Sequence, residues 1–298
     1  VSGDSGDRLD RYLVREGLAS SRRAAQELIA SGMVRVNGRR LRKAAVVGSH
    51  DRIEIARELR AGSIEPNPDL PLQVLYQDDA VIVVNKPGGM PCHPLRSGER
   101  DTAMNAVVAK YPEAGAVGDS PREGGLVHRL DNGTSGALMV ARTQEAFSVL
   151  RSAIRSGAIH RTYEALVIGS LTSRRELSSA IAHHHANPRK MTVGEAGSER
   201  RKRAGRPAAT IIEPVRQMGP CTLIQALPRT GSRHQIRLHL AKAGFPIVGD
   251  GLYGGPPAGE LQPGRFWLHL ACLEFDSPAG NHASVIAPLP DDLRKLLR

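Results

Sequence analysis

Apolar positions along the chain follow a helical period first, then a two-residue period, and then a mixture of both. In RLDRYLVRE (8 to 16), Leu9, Tyr12 and Leu13 share one helical face, and Gly17 ends the segment. Ser20 or Ser21 is placed to cap a second helix that Gly32 stops. Ala24, Ala25, Leu28 and Ile29 form its apolar stripe, with Arg22, Arg23 and Gln26 off it. MVRVNGRRL then alternates apolar and basic residues around Asn37-Gly38, a dipeptide suited to a two-residue hairpin turn, and DRIEI supplies another short strand. Residues 1 to 6 are small and polar and read as a frayed tail.

Residues 57 to 72 hold Pro66, Pro68 and Pro71 without any periodicity, which predicts an extended, semi-stiff linker. From residue 73 onward strands and helices mix. Strands are predicted at 73 to 76 and 80 to 84, a helix at 102 to 110, a buried strand at GALMVAR, and an amphipathic helix at TQEAFSVLRSAIRSG with Phe147, Leu150 and Ile154 inside. IHRTYEALVIG, TIIEPV, TLIQAL and FWLHLACLEF read as strands, and RHQIRLHLAKAG as a helix ended by Gly244. Residues 183 to 209, with three histidines and ERRKR, read as a mobile basic loop. Strands outnumber helices and several are hairpin-linked, so the expectation is an α+β protein: a mostly antiparallel sheet domain (73–298), a linker (57–72) and a small N-terminal α/β module (7–56).

Charge changes this picture from a fold to a partner. Forty-one Lys and Arg against 30 Asp and Glu give a net charge of +11, which points first to a phosphate-bearing partner, the plain alternative being a solvated basic surface with no specific partner. The three cysteines are far apart and never spaced as C-x-x-C, so neither a disulfide framework nor a cysteine zinc site is expected, and a reducing cytoplasm is. No long apolar run predicts a membrane span, and no basic-then-apolar leader predicts secretion.

Several local patterns fail on context. GDGLYGG (249 to 255) satisfies G-x-G-x-x-G, but Pro256 and Pro257 follow where a helix would have to begin. Gly133 to Ala137 approaches a serine-hydrolase elbow, but the turn runs into a strand instead of a helix. The adjacent His183, His184 and His185 cannot all face one metal ion.

Two segments do carry chemistry. In GLVHRLDNGTSGALMVART (125 to 143) a single carboxylate, Asp131, follows His128 and Arg129 and precedes a glycine-punctuated turn. In RTGSRHQIRLHL (229 to 240) helical spacing puts Arg233 and Arg237 one turn apart with His234 between them, a short basic face able to hold phosphates or pair with an acid.

Together with VVNKPGGMPCHP (83 to 94) and HRTYEALVIG (160 to 169), these segments closely resemble the RluA/RluD-type pseudouridine synthases, whose motifs recur in this order across nearly all of 73 to 298. Residues 7 to 56 resemble the small RNA-binding module named after ribosomal protein S-four. The resemblance implies cleavage of the uridine N1–C1′ bond in RNA, rotation of the base and joining of C5 to C1′, without cofactor or metal. It implies Asp131 as the catalytic acid, Arg237 as the cation that keeps it ionised, and Tyr163 as the ring lying against the target uracil, its hydroxyl able to help move the C5 proton. Arg129 would fill the gap left by a flipped nucleotide. His128, Arg233, His234, Lys86 and His93 are the further expected RNA contacts of the large domain, and Arg22, Arg23, Gln26, Arg35, Asn37 and Arg39 those of the small one.

The chain departs from the usual D-K-x-T-S-G at Asn132 and Gly133, carries Ser232 where an arginine is frequent, and has Arg161 in place of lysine before the tyrosine. The implied substrate is large-subunit (23S) ribosomal RNA, and the expectation is a cytoplasmic monomer. The competing expectation is a non-catalytic RNA-binding ribosome-assembly factor using the same basic surfaces.

Overall fold

The computed structural model describes residues 6–19, 22–30, 32–48, 50–55, 64–96, 98–194, 204–259 and 261–297. Most of the expected N-terminal tail, and the two serines expected to cap the second helix, lie outside the described residues.

The N-terminal module opens with β1 (Asp7–Arg8), α1 (Leu9–Arg15) and α2 (Arg22–Ala30), followed by β2 (Val34–Val36), β3 (Val46–Val47) and β4 (Ile53–Ile55). Leu9, Leu13, Ala25, Leu28, Ile29, Val34, Val36 and Val47 form its core. The expected hairpin at Asn37-Gly38 is reduced to one bridge between Val36 and Arg39. Both turn residues do have the positive φ that such a turn needs, 51° and 77°. β2 pairs instead with β4, because Val34 and Val36 must face the module's core while the basic residues after the turn stay in water.

The large domain is one sheet. Its elements are β5 (Gln73–Gln77), β6 (Val81–Lys86), α3 (Ala103–Lys110), β7 (Ser135–Ala141), α4 (Gln144–Ser156), β8 (His160–Ile168), β9 (Arg175–His183), β10 (Met191–Val193), β11 (Arg206–Met218), β12 (Cys221–Pro228), α5 (Gln235–Lys242), β13 (Leu268–Asp276), β14 (His282–Ile286) and α6 (Asp291–Lys295). Among the described residues, ten strands run in the order β10-β9-β11-β12-β8-β13-β7-β6-β5, with β14 added on β13. Every pairing is antiparallel except β13 with β7. β13 thus comes late in the chain but sits mid-sheet, the strand that joins β5-β6-β7 to β8-β12-β11-β9. Gly136 in β7 lies where these halves meet, at φ 118° and with the Leu270 backbone where a side chain would stand.

The helices form for local reasons. Thr102 caps α3 through a reciprocal box with Asn105. Thr143 caps α4, and the left-handed Gly157 ends it. The buried face of α4 carries Ala146, Phe147 and Leu150, with Ile154 half-buried at its edge.

Two expectations of open chain are corrected. From Ile64 onward the predicted linker is docked: Ile64 is buried in the main core, and Asn105 Nδ2 donates to Glu65 O at 2.6 Å. The described parts of the predicted basic loop at 183–209 contain structure, since β10 pairs with the end of β9 and β11 begins at Arg206; residues 195–203, with ERRKR, lie outside the described residues. Ile181, Met191 and Ala208 pack there against Leu238 and Tyr253, an apolar pattern that the flanking charges obscured.

Candidate active site

Residues 125–128 fold back on the end of β7: Val127 N donates to Met139 O at 3.1 Å and Ala141 N to Gly125 O at 2.8 Å. The chain then reverses in a turn closed by Thr134 N donating to Asp131 O at 3.0 Å, which places Asp131 at the mouth of β7. This explains the alternation in HRLD. His128 and Leu130 point inward, Arg129 is exposed, and Asp131 is half-buried.

His128 is therefore corrected as an RNA contact. Its Nε2 accepts the Met139 N–H at 3.1 Å, doing the work of a missing ladder carbonyl inside the core. Burial, reinforced by the charges of Arg161 and Arg151, pushes its pKa down to about 3, so the ring is neutral. Lys86 is corrected for the same reason. It is fully buried, and its Nζ donates to Pro87 O at 2.8 Å, Met90 O at 2.7 Å and Asn132 O at 3.3 Å. Those three bonds use every proton the ammonium has, even though burial pushes its pKa down to about 8. Lys86 is a strut under the turn that carries Asp131.

Arg237, from α5, reaches that turn from the other half of the sheet. Its Nη1 donates to Asp131 Oδ2 at 2.8 Å, while Nε and Nη2 donate to Asp250 Oδ2 and Oδ1 at 2.7 and 2.8 Å. The guanidinium lies 4.3 Å from the Phe266 ring centroid and 5.1 Å from that of Tyr253. Burial works against its charge, but the hydrogen bonds it donates to Asp250 and the charges of Asp131 and Asp250 outweigh it, so Arg237 is held firmly protonated.

The expected basic face on this helix is absent. α5 begins only at Gln235, and His234 before it has φ 56°, a left-handed turn that throws Arg233 outward while Arg237 goes in. Arg233 reaches Pro188 O at 3.3 Å. His234 Nδ1 meets Tyr253 Oη at 3.0 Å, and its Nε2 faces Asp131 Oδ1 at 3.9 Å.

Tyr163 stands in β8, buried, in the register position beside Leu270 of β13. Burial pushes its phenol up to about 12, the nearby charge of Arg161 opposing the shift and that of Asp131 adding to it. Two β8 positions upstream, Arg161 is buried and donates to Pro228 O and Thr230 O at 3.3 and 3.1 Å, bracing the loop into α5. At the rim, Arg129 Nη1 donates to Glu123 Oε1 at 3.3 Å, and His93 Nε2 lies 3.7 Å from the same oxygen.

Four residues of the site escaped the sequence reading: Asp250, Tyr253, Arg265 and Phe266. Asp250 and Tyr253 belong to the GDGLYGG segment, whose glycine spacing drew attention away from its acid and its ring. The available signal was Arg237 itself, flanked by Ile236, Leu238 and Leu240; an arginine inside an apolar helix needs more than one half-open carboxylate. Arg265 is buried and binds Gly133 O, Ser135 Oγ (2.9 Å), Phe266 O (3.0 Å) and Asp292 Oδ2 (2.7 Å). A β-carbon on Gly133 would meet Gly264 O and the Phe266 ring, so the departure from the usual motif at this position leaves room for the ring that covers Arg237. Ser135, of the failed hydrolase elbow, is buried against His269 Nδ1 at 2.9 Å and Arg265.

In the small module, Arg35 and Arg39 are exposed near the Asn37-Gly38 turn, and Arg22 and Arg23 on α2. Gln26, half-buried, donates from Nε2 to Asp10 Oδ2 at 2.9 Å, and the exposed Asn37 donates to Asp51 Oδ1 at 2.7 Å while accepting from Arg52 N at 2.9 Å. Both amides close the fold. Among the described residues no three His, Cys, Asp or Glu side chains cluster as metal ligands, and no helix is long and apolar enough to cross a membrane.

Comparison with known proteins agrees with this geometry. Residues 80–242 match the RNA pseudouridylate synthase family and residues 7–53 the S4 domain. The chain is 34% identical over 309 residues to the ribosomal large subunit pseudouridine synthase D of Xylella fastidiosa, covering 99% of this chain and 89% of that one. It is 32% identical over 304 residues to the protein of the same name from Pseudomonas aeruginosa, covering 98% and 91%. The solved structure of human RNA pseudouridylate synthase domain containing 1 superposes with a TM-score of 0.58 at 26% identity, over 76% of this chain and 86% of that one. With the family's domain covering the turn, strand and helix that carry Asp131, Tyr163 and Arg237, this chain belongs to the RNA pseudouridylate synthases, isomerases of uridine in RNA, and bears an S4 domain ahead of its catalytic sheet.

Proposed function

We propose that this enzyme converts uridines of large-subunit ribosomal RNA to pseudouridine, with Asp131 as its catalytic carboxylate, in the cytoplasm and as a monomer. The observation that carries the reading is the asymmetric pairing of Asp131: Oδ2 is bound by Arg237 at 2.8 Å, and among the described residues Oδ1 has no partner nearer than His234 at 3.9 Å. One oxygen is aimed and charge-balanced while the other is left to react. A carboxylate so held can act as a nucleophile at the ribose or base, or as a proton acceptor, without any redox group.

The other residues take parts that suit their surroundings. Tyr163, a neutral phenol beneath the site, offers a ring face to the uracil. Arg129, exposed and tied only to Glu123, suits the space left when a nucleotide leaves its stack. Arg233 and His93 at the rim, and Arg22, Arg23, Arg35 and Arg39 on the S4 domain, face phosphate. The relatives named for the large ribosomal subunit, with the same two-domain order, support the choice of substrate. The assembly-factor alternative gains nothing from a buried Arg237–Asp250 pair dedicated to one half-open acid.

The test is Asp131→Asn, assayed by tritium release from C5-labelled uridine in ribosomal RNA from cells lacking the enzyme. Release falls by about a thousandfold or more, as for loss of a covalent or acid–base catalyst. Undiminished release would end the assignment of Asp131, and pseudouridine appearing only in transfer RNA would end the assignment of substrate.

A further inference from the structure

Oδ1 of Asp131 faces an imidazole whose protonation is set from behind. Tyr253 Oη accepts the Met191 N–H at 2.8 Å and lies 3.5 Å from Met191 O, to which it donates. Arg233 Nε–H points at His234 Nε2 at 3.4 Å, so that nitrogen presents its lone pair. The proton is then on Nδ1, donated to Tyr253 Oη at 3.0 Å. The 3.9 Å gap between Nε2 and Oδ1 agrees with this tautomer, because an N–H on Nε2 would close to hydrogen-bond distance of a carboxylate. At rest that lone pair accepts from the exposed Arg233 and gains nothing from an ionised carboxylate 3.9 Å away. Once Asp131 is protonated and Arg233 lets go, it is an acceptor in position.

Resting on the reading of Asp131 as the catalytic carboxylate, we propose that His234 is the proton acceptor for Asp131, taking onto Nε2 the proton that Asp131 removes from the substrate and returning it before the product leaves. In the first transfer the O–H bond of the protonated Asp131 breaks, its electron pair stays on Oδ1, and an N–H bond forms at Nε2. The isomerisation removes one proton from C5 and adds one to N1, so the proton held by His234 is passed on to N1 and the ring ends neutral. Nothing is oxidised or reduced. The charged ring would stand between the carboxylates of Asp131 and Asp250 and the guanidinia of Arg233 and Arg237. Burial pushes the His234 pKa down to about 4, the charge of Asp131 opposing that shift, so the ring is neutral and free to accept at the start of each turnover. Tyr163, buried and shifted upward, is a poor alternative acceptor.

The histidine was expected to hold phosphate, and the two roles separate in kinetics. His234→Ala lowers turnover on the order of a hundredfold, while RNA binding changes by less than about threefold. Added imidazole restores turnover at least tenfold in the alanine variant, more so with more basic substituted imidazoles. His234→Gln keeps a polar side chain but cannot take the proton, and it stays slow with or without imidazole. Unchanged turnover with weakened binding makes His234 an RNA contact only and overturns the proposal, as does a loss that imidazole does not restore. If the alanine variant lacks the native melting transition, Tyr253→Phe reads the same arrangement, since it keeps the ring beside Arg237 but removes the acceptor that fixes Nδ1–H. Turnover then falls several-fold, and unchanged turnover overturns the proposal. Asp131→Asn in the same assay stays inactive with imidazole; if it is active, the reading of Asp131 fails whatever His234 does.

Discussion

Asp10 of the S4 domain and Asp131 of the large domain are both paired with arginine, and the two pairings are built in opposite ways. Asp10 in the S4 domain is completely buried, and its oxygens are filled: Arg8 Nε on Oδ1 at 3.1 Å, and Arg22 Nε and Gln26 Nε2 on Oδ2 at 3.0 and 2.9 Å. Its arginines stay largely in water. At the proposed catalytic site the cation is the buried member, shared between two carboxylates, and Asp131 keeps an oxygen in the open. The difference shows how to tell a structural acid from a reactive one: count the lone pairs left over, rather than the positive charges nearby. Burial alone would push Asp10 up, but the hydrogen bonds from Gln26, Arg22 and Arg8 hold it well below the usual carboxylate range.

The contrast is open to attack at several points. Arg237→Lys has the largest expected effect. An ammonium cannot bridge Asp131 and Asp250 as a fork, and turnover falls about a hundredfold or more while RNA binding holds. Tritium release at saturating RNA measures it, and a mild effect would mean that point charge suffices. Asp10→Asn acts the other way, on stability. It costs on the order of 2–3 kcal/mol in the S4 domain, read by hydrogen exchange of 9–55, and leaves turnover at saturating RNA intact.

The sign for Asp10 follows from its lowered pKa. The stabilisation is present above the unfolded value of about 3.9 and is lost as pH falls through the folded one. The smallest effect concerns His128, whose folded pKa is depressed. Its unfolded form takes a proton as pH falls below about 6.5, so the large domain loses stability from there down to about pH 3, by roughly 1 kcal/mol per unit. His239 and His269 shift in the same direction and add to it. His128→Asn flattens the slope of melting temperature between pH 6.5 and 4.5; an unaltered slope would move its origin to the other two.

Strands and helices with a clean period were legible before the fold was known: β7 from its unbroken apolar run, and α4 from its stripe, threonine cap and terminal glycine. What misled was charge. Lys86 and His128 look like RNA contacts in a basic sequence, yet each is spent on backbone groups, which a string of letters does not display. Asn37 was read correctly as a turn residue, but the bonds of its amide with Asp51 and Arg52 left no local trace in the sequence. Asp250 was passed over because long-range partners have no local period. The pairing of Asp131 with Arg237, 106 positions apart, came from family resemblance and not from pattern.

The place of β13 bears on how the enzyme is made. Asp131 belongs to the half of the sheet that is synthesised first, Tyr163 and Arg237 to the second half, and the strand between those halves is not translated until residues 268 to 276. Phe266, which lies against Arg237, comes just before it, and Asp292, which anchors Arg265, comes later still. A nascent chain on the ribosome thus carries its carboxylate for nearly half of its length without the strand that seats the counter-ion beside it. A chain truncated before residue 268 is therefore expected to lack activity toward RNA.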